Sequence, residues 1–292
     1  MLRKIVSFTI LVFIFIIPFT IVHAKTFQTS DNRFISYTDV GHGRPIVLIH
    51  AFPTDNRLFE LTSREIETVN DSKVFRIISI DLSGFGNSSL ITENGEAITM
   101  SDYASELNEL LAFLKIQSAV IGGESMGGYV ALAFLDKFPN KVEGLILSST
   151  QAIADSPETK EKREATAIDV MENGTEKLIK DFMTKALSPN APETTKLFLQ
   201  YILEKQDNMA VASALRGMAL RTDTSHLLAN SSLPILIMAG EDDAIISPSQ
   251  SQNMHVLAKN SKLVIFPHTG HLASMEQPNK WINEVIDMFY QI

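Results

Sequence analysis

The chain has 292 residues, 45% of them hydrophobic and 20% charged, with a formal charge of −9 and no cysteine. That composition fits one large folded domain; it excludes a disulfide framework, a thiol nucleophile and a lipid anchor on an N-terminal cysteine. The acidic balance argues against nucleic acid as a partner, and the seven histidines contain no i, i+4 pair of the kind that holds zinc on a helix, so no metal or cofactor is expected.

The first segment stands apart from the rest. Arg3 and Lys4 precede an almost unbroken apolar run over residues 5–22, and Val22-His23-Ala24 then offers a small residue before Lys25. This order of positive, apolar and small-residue regions predicts a signal peptide over residues 1–24, cleaved after Ala24, and hence an exported, periplasmic or secreted protein. An uncleaved membrane anchor is the alternative, although the run falls slightly short of the ~20 residues a spanning helix needs. In either case membrane contact is expected only through this segment. Cleavage would remove two cations and no acid, leaving a formal charge of −11.

Beyond it, strand and helix patterns alternate. Residues 34–38 alternate apolar and polar side chains, as a half-buried strand does. Residues 46–49, 76–80, 119–121, 145–147, 235–239 and 263–266 are short continuous apolar runs. Such runs suit strands covered on both faces, which implies a mostly parallel central sheet flanked by helices. Amphipathic stretches at 103–114, 126–137, 249–259 and 281–290 supply those helices. Residues 152–229 break the alternation with charged helical pieces punctuated by Pro157, Asn173-Gly174, Pro189 and Pro192. They are expected to form a helical lid inserted after the sixth strand, between core segments 25–151 and 230–292.

Chemistry concentrates at three expected strand ends. Gly123-Glu124-Ser125-Met126-Gly127 lies between a strand-like and a helix-like run. A serine at such a corner is held strained and pushed above the sheet, and glycines flank it because a Cβ there would crowd a neighbouring strand or helix. A serine hydroxyl needs a base to take its proton and a carboxylate to orient that base. Gly240-Glu241-Asp242-Asp243 follows the strand at 235–239, and Pro267-His268-Thr269-Gly270-His271 follows the strand at 263–266. His271 is the preferred base, since Gly270 permits a tight turn, with His268 as the alternative. Asp243 stands farthest into its loop and is the preferred acid, with Asp242 as the rival. Negative charge developing on a carbonyl oxygen needs backbone N–H donors, for which Met126 and, in the loop His50-Ala51-Phe52-Pro53, Phe52 are the candidates.

These pieces, with Asp81-Leu82-Ser83-Gly84-Phe85-Gly86-Asn87-Ser88 and Glu276-Gln277-Pro278, resemble the α/β-hydrolase-fold serine hydrolases over roughly residues 33–292. The resemblance implies a Ser125–His271–Asp243 triad, and it supports Asp243 because the family's acid usually stands three positions after that glycine. Within the family the chain is most similar to the 3-oxoadipate enol-lactonase and small carboxylesterase branch, notably at Ala214-Leu215-Arg216-Gly217-Met218-Ala219 and Arg221-Thr222-Asp223. The implied activity is cleavage of a small-molecule ester or lactone through an acyl-enzyme. Carbon–carbon bond hydrolysis, thioester hydrolysis and a non-enzymatic ligand sensor are the alternatives on the same scaffold. Serine at position 125 excludes the dehalogenase and epoxide-hydrolase branches, which need a carboxylate there. Apolar lid residues Phe182, Met183, Phe198, Tyr201, Met209 and Met218 are expected either to line an acyl pocket or to form the lid's own core.

Overall fold

Most of the continuous apolar runs become strands buried on both faces, the run at 263–266 becomes a half-buried edge strand, and in the computed structural model they belong to one eight-stranded sheet. The structure describes residues 23–68 and 74–290; most of the expected signal segment lies outside them. The strands are β1 (Lys25–Gln28), β2 (Phe34–Gly41), β3 (Arg44–Ile49), β4 (Phe75–Ile80), β5 (Ala119–Glu124), β6 (Val142–Ser148), β7 (Ile235–Gly240) and β8 (Ser261–Phe266), and they lie in the order β1-β2-β4-β3-β5-β6-β7-β8. β1 and β2 pair antiparallel, β2 pairs antiparallel with β4, and every other pairing is parallel. Seven of the eight strands coincide with the sequence-based elements. The eighth, β1, is an exposed edge of four residues with only Phe27 buried, too short to show a pattern.

Successive residues of a strand point to opposite faces, and both faces here are apolar. Val47 and Ile49 pack under α2 (Met100–Phe113) and α3 (Met126–Lys137), while Ile46 and Leu48 pack under α1 (Glu60–Thr68) and α11 (Pro278–Phe289). α2 starts where it does because Thr99 and Asp102 cap each other's backbone N–H groups. α11 buries Trp281 completely against Phe59, with ring centroids 5.8 Å apart; removing that indole would cost about 3–5 kcal/mol. The sequence pattern did not show α1. Leu61 and Ile66 are its apolar residues, too few to trace a helical stripe, and of the two Ile66 is buried while Leu61 is exposed.

Between β6 and β7 the chain is helical: α4 (Pro157–Asn173), α5 (Glu176–Met183), α6 (Glu193–Leu203), α7 (Asn208–Ala219) and α8 (Ser225–Asn230). The punctuation explains the boundaries. Ser156 caps α4, Pro157 opens it, and Gly174 ends it at a φ of 85°. Ala167 and Val170 of α4 join Val211 and Ala214 of α7 in the core that continues into the sheet's α2–α3 side. Leu199, Ile202 and Leu203 of α6 join the other side. The insert is therefore anchored to both halves of the core and sits at the carboxyl ends of the strands. α9 (Pro248–Leu257) and the short α10 (Ala273–Glu276) complete the α-helices described.

Candidate active site

Ser125 leaves β5 with φ 57° and ψ −114° and leads directly into α3. For a residue with a Cβ this backbone costs on the order of 1–3 kcal/mol, so the surroundings must hold it. Ser125 N–H donates to the Ser148 carbonyl at 2.8 Å, and the Thr150 hydroxyl donates to the Ser125 carbonyl at 2.7 Å. The flanking glycines are needed for close approach. A Cβ on Gly123 would lie 2.0 Å from the Gly127 carbonyl carbon, and one on Gly127 would lie 1.9 Å from the Ile49 carbonyl oxygen. The turn is thus clamped between β3, β5 and the start of α3, with Ser125 left 8% exposed on the floor of a cavity.

His271 and Asp243 arrive from β8 and β7. The His271 Nδ1 lies 3.0 and 2.9 Å from the two Asp243 carboxylate oxygens, and both side chains are fully buried. A carboxylate facing Nδ1 on both oxygens places the ring proton there, so Nε2 presents its lone pair. That Nε2 is buried and has no hydrogen-bond partner among the described residues; Ser125 and His271 line the same cavity. Asp243 is itself held by the Ile245 and Ile246 N–H groups, both donating to Oδ1 at 2.9 Å. The two rival residues face elsewhere. Asp242 is exposed, and its backbone N–H donates to the Thr269 carbonyl; His268 is also exposed, and its N–H donates to Glu241.

The loop after β3 is fixed by a buried histidine that the sequence offered only as part of a motif. His50 Nδ1 donates to the Ala51 carbonyl at 3.0 Å, and Nε2 accepts the Leu82 N–H at 3.1 Å. Burial pushes the pKa of this imidazole down to about 4, so at neutral pH it is uncharged and able to accept that bond. The Thr54 hydroxyl and N–H also converge on the Ala51 carbonyl, at 2.9 and 2.8 Å. Phe52 is thereby held at the cavity wall beside Ser125. Met126 is the first residue of α3, where the backbone N–H has no acceptor within the helix.

The cavity measures about 710 Å³ and is roofed by α4 and α5. Of the six apolar lid residues singled out in the sequence, Phe182 and Met218 line it. Met183 and Phe198 pack instead against the core beside α11. Tyr201 is exposed, with Arg57 5.1 Å from its ring centroid, and Met209 borders a separate surface hollow. Sequence patterning could not divide these six, because a residue facing a cavity and one facing the core look alike. A charged cluster also escaped it. Asp155, nearly buried, receives Arg163 at 2.6 Å and Arg221 at 2.7 Å, and the Arg221 guanidinium stacks 4.0 Å from the Tyr129 ring centroid. These contacts tie α4 and the α7–α8 connection to α3, and so fix one wall of the cavity. Among the described residues no cluster of ligating side chains could hold a metal.

A strand-to-helix corner carrying a strained serine, with a paired histidine and carboxylate at the next strand ends, defines a class, and the comparisons agree with it. The family model for the alpha/beta hydrolase fold matches residues 44–278, and the chain belongs to that family. It is 30% identical to the AB hydrolase superfamily protein YisY of Bacillus subtilis, over 90% of this chain and 97% of that one. A thermophilic esterase from Thermogutta terrifontis, solved with malate bound, superposes with a TM-score of 0.85 at 32% identity, covering 92% of this chain and 98% of that one. The enol-lactonase from Burkholderia xenovorans LB400 shares the fold, with a TM-score of 0.81 at 20% identity over 91% of this chain and all of that one.

Proposed function

We propose that this hydrolase cleaves small carboxylic esters or lactones through an acyl-enzyme, with Ser125 as nucleophile, His271 as general base and Asp243 as the group that orients it. The carrying observation is the His271–Asp243 pair, two buried side chains joined through Nδ1, with Nε2 left open and His271 lining the same cavity as the strained serine. In the first step Nε2 takes the Ser125 proton as Oγ attacks the substrate carbonyl carbon. The imidazolium then protonates the departing alkoxide, leaving Ser125 acylated. Water attacks that ester with the same base assisting, and Ser125 regains its proton as the acid leaves. The Phe52 and Met126 N–H groups are the proposed donors to the oxyanion. Each such donor is worth roughly 3–4 kcal/mol of barrier.

The helices over the cavity act in this reading as a lid that excludes water and selects the acyl group, with Phe182 and Met218 as its apolar contacts. The similarity to an esterase at 32% identity supports the ester reading. The test is turnover of p-nitrophenyl esters of increasing acyl length, alongside simple lactones, by the wild type and Ser125→Ala. Repeated turnover lost in Ser125→Ala is expected. A stoichiometric burst without turnover on any ester or lactone would point to a ligand sensor and overturn the proposal.

A further inference from the structure

The residue before the nucleophile is a carboxylate inside the core. Glu124 ends β5 and is completely buried. Its Oε1 accepts the Ser148 hydroxyl at 2.9 Å and the Ser274 N–H at 3.3 Å, and its Oε2 accepts the Ser274 hydroxyl at 2.5 Å. Trp281 of α11 donates from Nε1 to Ser148 Oγ at 3.1 Å, closing the network. The hydrogen bonds that reach Glu124 come from neutral groups, the Ser148 hydroxyl and the Ser274 N–H and hydroxyl. Leaving a carboxyl dry costs several kcal/mol unless something nearby favours its charge, and a fold needing only shape here would be served by an apolar side chain.

The surrounding groups say what favours it. β6 contributes Ser148, α10 contributes Ser274, and α11 contributes Trp281, all neutral. The titratable neighbour is His271, three residues before Ser274, whose Nδ1 edge already faces Asp243. Burial pushes the Glu124 carboxyl above the usual range, while the Ser274 bonds, the His271 charge and Ser148 pull it back. The base therefore has carboxylates on two strands, Asp243 after β7 and Glu124 at the end of β5. Of the two, Asp243 is the one that touches it.

We propose that Glu124 is a positioning residue for His271, a second buried carboxylate that anchors the histidine's loop through Ser274 and stabilises the imidazolium formed when Ser125 gives up its proton. This rests on the reading of His271 as the base. Glu124 touches neither substrate nor reacting atoms. It acts by holding the start of α10, and by its charge when the ring becomes positive. Because Glu124 adjoins Ser125 in the chain, the nucleophile and the device that stabilises its base are set by one turn.

The experiment is the pH profile of kcat/KM for Glu124→Gln, Glu124→Asp and wild type on one ester. Removing a nearby negative charge makes the imidazolium harder to form, so the acidic limb should move to lower pH. A shift of about one unit is expected for Glu124→Gln, with kcat lower by roughly tenfold and KM within about twofold. Glu124→Asp keeps the charge and should keep the limb within a few tenths of a unit. A merely structural role would change activity without moving the limb, and a limb shared by Glu124→Gln and wild type would overturn the proposal. If Glu124→Gln fails to fold, Ser274→Ala takes its place. It removes the hydroxyl bond to Oε2 that helps keep the carboxyl charged, so a downward shift in the same limb supports the proposal and an unmoved limb refutes it. The two readings separate cleanly: His271→Ala with undiminished turnover defeats the triad itself, whereas an inactive His271→Ala with an unmoved Glu124→Gln limb defeats only the role of Glu124.

Discussion

Replacing Asp243 by Asn keeps size and shape while reversing the instruction the carboxylate gives to His271. Its Oδ1 accepts the Ile245 and Ile246 N–H groups, both at 2.9 Å, so an asparagine must place its carbonyl oxygen there to keep two buried bonds. The side-chain NH₂ then falls at the Oδ2 position, 2.9 Å from His271 Nδ1. A donor facing Nδ1 forces that nitrogen to accept, and the ring proton moves to Nε2, the atom that receives the Ser125 proton in the proposed mechanism. The wrong tautomer in the best-studied triad costs about 10⁴ in kcat, equivalent to ~5.5 kcal/mol of barrier. Folding should change far less, by about 1 kcal/mol, since both backbone bonds survive. Steady-state kinetics on a p-nitrophenyl ester, with urea unfolding in parallel, measures both quantities. Asp242→Asn, altering an exposed side chain, should stay within about twofold of wild type. A mild Asp243→Asn beside a crippled Asp242→Asn would refute the reasoning.

Three further outcomes are expected. Phe182→Ala should alter the acyl-length preference and raise KM for the favoured ester by several-fold while kcat on acetate stays within about threefold; an unchanged length profile would remove the lid from substrate selection. Burial, with the Asp55 charge next, pushes the Asp81 carboxyl up to about 7. Its proton is thus held more tightly in the folded protein, and the stability this contributes is complete below the ordinary value near 3.8 and is lost as pH rises through about 7. Urea unfolding at pH 5 and pH 8 should therefore show Asp81→Asn gaining on wild type at the higher pH, and a difference independent of pH would contradict that. Protein recovered from the cell envelope should begin at Lys25, the first residue of β1, as the signal-peptide proposal requires; Met1 retained on membrane-bound protein would instead favour an anchor.

Legibility in the sequence followed burial. Strands covered on both faces, such as β3 and β7, are continuous apolar runs and could be placed within a residue or two, whereas β1 and α1 carry too few apolar residues to be seen. The elbow was readable because its glycines are imposed by backbone approach at Gly123 and Gly127. Asp243 was separable from Asp242 by its position in the loop and by the family resemblance, and the structure supplies the reason: a one-residue difference decides which carboxylate turns inward onto His271. What stayed hidden were contacts between distant segments. Ser274 and Ser148 on Glu124, Arg221 on Asp155 and His50 on the Leu82 N–H are each local residues of ordinary type, and nothing in their own neighbourhoods announces the partner.

Covalent labelling at Ser125 tests the central claim most directly. A fluorophosphonate needs an activated serine, so incubation of the folded protein should give one adduct, mapped by peptide mass spectrometry to Ser125, formed far more slowly in Asp243→Asn and absent in Ser125→Ala. An adduct on another residue, or labelling that persists undiminished in Ser125→Ala, would contradict the account.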